Sequence, residues 1–82
     1  MIDVQLFTKD PCSLCDEVKE MLHQLAATYP HQLTEIDITT DHDTFATYRF
    51  IIPVLKIGST TLKAPIQQMD LVYALRNASR RL

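Results

Sequence analysis

At 82 residues the chain is of single-domain size, near the lower end of what folds unaided, and its 46% apolar content suits a compact core over residues 1–82 rather than a disordered segment. The net charge is −2, and the basic residues are dispersed except for Arg76, Arg80 and Arg81. That group suits the negative end of a terminal helix and argues against a nucleic-acid partner. No apolar run approaches the roughly 18 to 20 residues needed to cross a bilayer, so no membrane role is expected.

In chain order, Ile2, Val4 and Leu6 alternate with Asp3 and Gln5, and Phe7 follows, which predicts a strand over 2–7. Thr8-Lys9-Asp10-Pro11 reads as a turn. Leu14, Val18, Leu22 and Leu25 then recur at helical spacing, with Met21 widening the stripe, and predict a helix over about 13–28 ended by Pro30. Leu33, Ile36 and Ile38 mark a second strand near 32–38. Thr40 or Asp41 can cap a short helix over about 42–50 that carries Phe45 and Tyr48 inward.

A third strand runs over 53–57 and a fourth over 60–63, joined at Gly58-Ser59, where the only glycine allows a tight hairpin turn. Pro65 is placed to open the last helix. Leu71, Leu75, Ala78 and Leu82 line one face of that helix, with Ile66, Met69 and Val72 beside them. The order is β-α-β-α-β-β-α. A strand–helix–strand opening demands a parallel pair and the late hairpin an antiparallel one, so the expected fold is α/β: a mixed four-stranded sheet with helices on both faces.

The chemistry-bearing feature is Cys12-Ser13-Leu14-Cys15, which holds the only two cysteines, between the first strand and the first helix. A disulfide closing so short a loop removes little unfolded-state entropy, so stability does not explain the pair. Met1-Ile2-Asp3-Val4 lacks the basic segment and long apolar stretch of an export signal, which points to the cytoplasm. In that reducing compartment a CxxC pair is catalytic or metal-binding more often than structural. His23, His31 and His42 form no ligand spacing with the pair and read as solvent-exposed, so no metal site is assigned.

Lys9-Asp10-Pro11-Cys12-Ser13-Leu14-Cys15-Asp16, together with Tyr48 and Ile52-Pro53-Val54-Leu55, resembles the small glutaredoxin-like proteins of the thioredoxin superfamily. The resemblance covers the whole chain. It implies thiol–disulfide exchange, with Cys12 as nucleophile and Cys15 as resolving thiol. It also implies a cis bond before Pro53 and a backbone at Ile52 that pairs with an extended substrate, so that Lys9, Pro11, Ser13, Leu14, Ile52 and Pro53 border the substrate. Tyr48 is assigned to the core rather than to the groove.

A helix N-terminus favours a Cys12 thiolate. Lys9 adds a positive charge nearby, while Asp10, Asp16 and Glu17 oppose it. Glutaredoxins that use glutathione carry a paired glycine and an acid before the last helix. Here the stretch reads Leu62-Lys63-Ala64-Pro65-Ile66-Gln67-Gln68 and that clamp is absent. No tightly bound cofactor is expected, and glutathione enters only as a candidate reductant.

The function expected is therefore a thiol–disulfide oxidoreductase. It would act on a disulfide-containing protein or a glutathione mixed disulfide, and be re-reduced by glutathione or a reductase. Two alternatives use the same residues: a dimeric module holding zinc or an iron–sulfur cluster on four cysteines, and an adaptor that binds peptides beside Pro53 without turnover.

Overall fold

In a computed structural model, which describes residues 1–81, the chain forms β1 (Ile2–Thr8), α1 (Ser13–Leu25), β2 (His31–Asp37), a 3₁₀ turn (Ile38–Thr40), α2 (His42–Tyr48), β3 (Val54–Ile57), β4 (Thr60–Lys63) and α3 (Gln68–Ser79). The four strands make one sheet in the order β2-β1-β3-β4. β1 runs parallel to β2, with Val4 opposite Leu33, and antiparallel to β3, with Leu6 opposite Leu55. β3 and β4 form the hairpin, with Ile57 opposite Thr60. Gly58 in its turn has φ +57°, and only this left-handed backbone demands glycine, because an added Cβ would meet nothing closer than Ala78 at 3.6 Å. The α/β order expected from periodicity is the order found.

The period-2 pattern of β1 sends its side chains to two unequal cores. Ile2, Val4 and Leu6 join Leu55 and Ile57 on the face covered by α1 and α3. There they meet Val18 and Leu22 of α1 and Leu71, Ala74 and Leu75 of α3. Phe7 points to the opposite face, where it forms a smaller cluster with Ile38 and Val54, backed by Ile36, Tyr48 and Ile52. Burying a Val, Leu or Ile side chain contributes roughly 1.5–3 kcal/mol, so the α1/α3 face carries most of the hydrophobic stabilisation.

Several boundaries differ from expectation. α1 ends at Leu25, three residues early, because Ala26 caps it and its N–H bonds the carbonyl of His23. Ile38 leaves the strand for the 3₁₀ turn because the Asp37 carboxylate takes the Thr39 N–H at 2.9 Å and the Thr39 hydroxyl at 2.6 Å. Pro65 precedes the last helix rather than opening it. Gln67 is the cap, and its N–H donates to Asp70 Oδ2 at 2.8 Å. α2 buries none of its residues fully: Tyr48 packs inward, but Phe45 lies half-exposed under the Arg49 guanidinium, 5.2 Å from its ring centroid. Met69 is 61% exposed rather than part of the inner face of α3. His31 is half-buried, with Nδ1 2.8 Å from the Tyr29 carbonyl oxygen. The expected contribution of Leu82 lies outside the described residues. No helix among them is long and apolar enough to cross a membrane.

Candidate functional site

Cys12 lies at the end of a four-residue connection from β1 and serves as the N-cap of α1. Its backbone is extended, at φ −156° and ψ 100°, and its carbonyl accepts the Asp16 N–H at 3.1 Å. Its Sγ accepts the Cys15 N–H at 3.2 Å. A helix leaves its first N–H groups unpaired, and here the cysteine sulfur answers one of them. Cys15 follows one turn later on the inner stripe with Val18 and Leu22 and is fully buried, while Cys12 is partly exposed. The two are joined as a disulfide, with Cα atoms 5.3 Å apart. The asymmetry of an outer and an inner cysteine is therefore built by the phase of α1.

Around this pair the structure gathers some of the predicted residues more closely than others. Ser13 and Leu14 occupy the first turn of α1, and Leu14 is 54% exposed despite being apolar. Pro53 is fully buried immediately before β3. Because Phe7 pairs with Val54, continuing the register sets Pro53 opposite Thr8, at the end of the sheet from which the Cys12 connection leaves. The Ile52–Pro53, Asp10–Pro11 and Ala64–Pro65 peptide bonds are all cis.

Ile52 packs its side chain against the small cluster, and its backbone N–H and C=O have no backbone partner among the described residues. Pro11 is exposed on the loop, and Lys9 is half-exposed with no ion pair among the described residues. Tyr48 lies within the core side of the site: its ring stacks on Phe7 at a centroid distance of 4.4 Å.

Electrostatics near the cysteines are shaped by Lys19. Its Nζ lies 3.2 Å from both Asp16 and Glu35, tying the second turn of α1 to β2. The hydrogen bond to Glu35, then that to Asp16, raises its pKa above the ordinary lysine value. This pairing partly answers Asp16, whereas Glu17 has no such partner among the described residues. No group of three or more His, Cys, Asp and Glu side chains positioned to hold a metal occurs among the described residues.

Beside the cysteines runs a cavity of about 420 Å³ that no single motif announces. One wall is formed by α1 through Leu14, Val18 and Met21 with Glu17. The other is Pro53 with Ala64, Pro65 and Ile66 from the β4–α3 connection. Leu14 and Pro53 were singled out in the sequence. The rest of the wall could be found only by knowing that residues 64–66 return to α1. A cavity of about 440 Å³ lies at the opposite end of the sheet, against Met1, Gly58 and Arg81, and takes no part in the cysteine site.

Comparison with known proteins agrees with this arrangement. A family model described as a Glutaredoxin-like domain (DUF836) matches residues 3–76. In three dimensions the chain is similar to the Northeast Structural Genomics target protein XcR50 from X. campestris. That likeness has a TM-score of 0.74 at 25% identity and covers 90% of this chain and 96% of that one. It is also similar to a malarial protein of solved structure, with a TM-score of 0.69 at 14% identity over 95% of this chain and 97% of that one. The second likeness speaks for the thioredoxin-like fold alone.

Proposed function

The chain belongs to the glutaredoxin-like domain family (DUF836), and from that premise we propose that it is a thiol–disulfide oxidoreductase working through Cys12 and Cys15. One observation carries the reading: a partly exposed sulfur at the N-cap of α1 is disulfide-bonded to a fully buried sulfur one turn later. In the reduced protein the Cys15 N–H and the positive end of the α1 dipole face a Cys12 thiolate and favour it over the thiol.

That thiolate attacks one sulfur of a substrate disulfide. The substrate S–S bond breaks, a Cys12–substrate disulfide forms, and the first substrate thiolate leaves and takes a proton from water. Cys15 then loses its proton and attacks Cys12 Sγ. The second substrate thiol is released and two electrons have passed from the dithiol to the substrate. Ile52, whose backbone groups have no backbone partner among the described residues, and Pro53 offer the substrate chain an edge to lie along. Substrates of this class are disulfide-bearing polypeptides or glutathione mixed disulfides. The return step needs a thiol donor, either glutathione or a dithiol reductase of the thioredoxin-reductase type, in a reducing compartment such as the cytoplasm.

The test is a coupled assay on insulin and on glutathione disulfide, with glutathione and its reductase compared against thioredoxin reductase as donor. Cys12→Ser should lose exchange by several orders of magnitude with either donor. Cys15→Ser should accumulate a mixed disulfide through Cys12 that mass spectrometry detects. Full activity in Cys12→Ser would sink the mechanism. An intact pair that no donor reduces would instead favour a peptide-binding role without turnover.

A further inference from the structure

The cavity beside the cysteines has a chemical character that the exchange reaction alone does not require. Its walls are apolar: Leu14, Met21, Pro53, Pro65 and Ile66 face it, and Glu17 is the one charged side chain among its described lining residues. Its volume of about 420 Å³ falls in the range that encloses a ligand of several side-chain volumes. The segment entering Pro53 also exposes apolar side chains, with Phe50 83% and Ile51 37% exposed. The loop and first turns that carry the cysteines add Asp10 and Asp16 to the charge of Glu17.

Glutathione fits this surface poorly. It presents two carboxylates, and an unpaired carboxylate near another in an apolar groove loses hydration without a compensating partner. At the nearby α3 N-terminus the Gln67 N–H is bonded to Asp70, whose carboxylate adds a further negative charge there. Lys19, the nearest cation along α1, is held by Asp16 and Glu35, and neither Lys9 nor Lys63 is among the residues that line the cavity.

Resting on the oxidoreductase reading above, we propose that the groove selects an extended polypeptide substrate. Its disulfide cysteine is flanked by a bulky apolar residue, which enters between α1 and the β4–α3 connection, and by a basic residue that meets Glu17. The substrate class is therefore protein disulfides in apolar and cationic sequence, in preference to glutathione mixed disulfides. Cys12 attacks the peptide sulfur of such a disulfide and expels its partner thiolate. Cys15 then releases the peptide thiol and closes the Cys12–Cys15 disulfide, so a single turnover of pre-reduced protein needs no further reductant.

The experiment uses protein reduced with dithiothreitol and desalted. It is mixed with peptides whose single cysteine is disulfide-bonded to the chromogenic thiol 2-nitro-5-thiobenzoate. Release of the coloured thiolate gives the second-order rate constant for attack at the peptide sulfur. A peptide with Leu and Lys beside its cysteine should react at least about tenfold faster than those with Asp in place of Leu, and than the glutathione derivative. Replacing its Lys by Glu should slow it several-fold at low salt, and added salt should shrink that difference.

Ile66→Asp should bring the Leu-Lys peptide down toward the glutathione derivative, and Glu17→Lys should reverse the Lys-over-Glu preference. The peptide series on the unaltered protein decides the question even where a variant folds poorly. Rates equal within about twofold across the series, or fastest for the glutathione derivative, overturn the groove assignment while leaving exchange intact. Rates no faster than those of free cysteine overturn both readings. A rate constant that falls as protein concentration rises, with a dimer mass in solution, would seat a second copy on the groove and also overturn the assignment.

Discussion

The two faces of the sheet hold the site from opposite sides and are built to different standards. On one, α1 and α3 lock β1 and β3 through a continuous apolar cluster, and Cys15 sits fully buried on the same inner stripe of α1 as Val18 and Leu22. On the other, α2 buries no residue completely. The segment leading to Ile52 and Pro53 leans on Phe7, Ile38 and Val54, with Tyr48 and Ile36 beside them. The cysteines therefore ride on the best-packed part of the molecule. The Ile52–Pro53 edge proposed to take the substrate backbone follows a lightly anchored one. On the proposed function, the difference separates what must hold still, the sulfur geometry, from what would adapt to a substrate chain.

The largest expected effect breaks the stronger face. Leu22 is fully buried one helical turn beyond Val18, and Leu22→Ala should destabilise the protein by about 2–5 kcal/mol, the usual range for a buried leucine leaving a cavity. Urea unfolding should show the midpoint falling with little change in slope. A loss well under 1 kcal/mol would mean that this face is not the principal core.

Tyr48→Ala addresses the weaker face. The ring is half-buried and stacked on Phe7, so its removal should cost about 1–2 kcal/mol, part from area and part from the aromatic pair. If the two faces play the roles argued here, the change should raise KM for a disulfide substrate more than it lowers kcat. Native-state hydrogen exchange should show α2 opening more readily while α1 keeps its protection. An equal loss of protection on both faces would erase the distinction.

Much of this contrast was legible in the sequence, and the parts that were not have physical reasons. The element order followed from periodicity, because Ile2-Val4-Leu6 and Val18-Leu22 commit their elements to one buried side. The position of Cys12 and Cys15 at the junction of the first strand and first helix was likewise readable, and the phase of α1 leaves Cys12 partly exposed and Cys15 buried. That Leu6 and Phe7 bury on opposite faces of β1 was not read from the sequence, because the second, smaller cluster around Phe7 is assembled from distant residues. The start of α3 was misplaced because Pro65 is a strong local signal, whereas the actual cap depends on the Gln67–Asp70 hydrogen bond. Ile38 was misplaced because the Asp37 side chain outcompetes strand pairing. The groove was invisible because its walls are about thirty to fifty residues apart in the chain and only the fold brings them together.

The smallest expected effect sharpens the comparison through acid. With no fully buried side chain of its own, α2 relies on its cap: Asp41 accepts from the Thr44 hydroxyl at 2.7 Å and from the Thr44 N–H at 3.0 Å. These bonds, the hydroxyl first, lower the Asp41 pKa below the ordinary aspartate value. A carboxyl whose folded pKa is depressed contributes stability that is fully present above its unfolded pKa, about 3.9, and is lost as pH falls through the folded value. Asp37 at the neighbouring 3₁₀ turn is lowered in the same way, chiefly by the Thr39 hydroxyl. Acid should therefore loosen the α2 face before the α1/α3 face, whose anchoring is apolar. Asp41→Asn keeps an N-cap acceptor but has no proton to gain, so it should cost little at pH 7 and flatten the part of the pH dependence that Asp41 supplies. Hydrogen exchange at pH 6 and pH 3 provides the check. Wild-type α2 amides should lose protection relative to α1 in acid, and the variant should lose less; if α2 and α1 amides weaken in parallel in both proteins, the cap is not what holds that face.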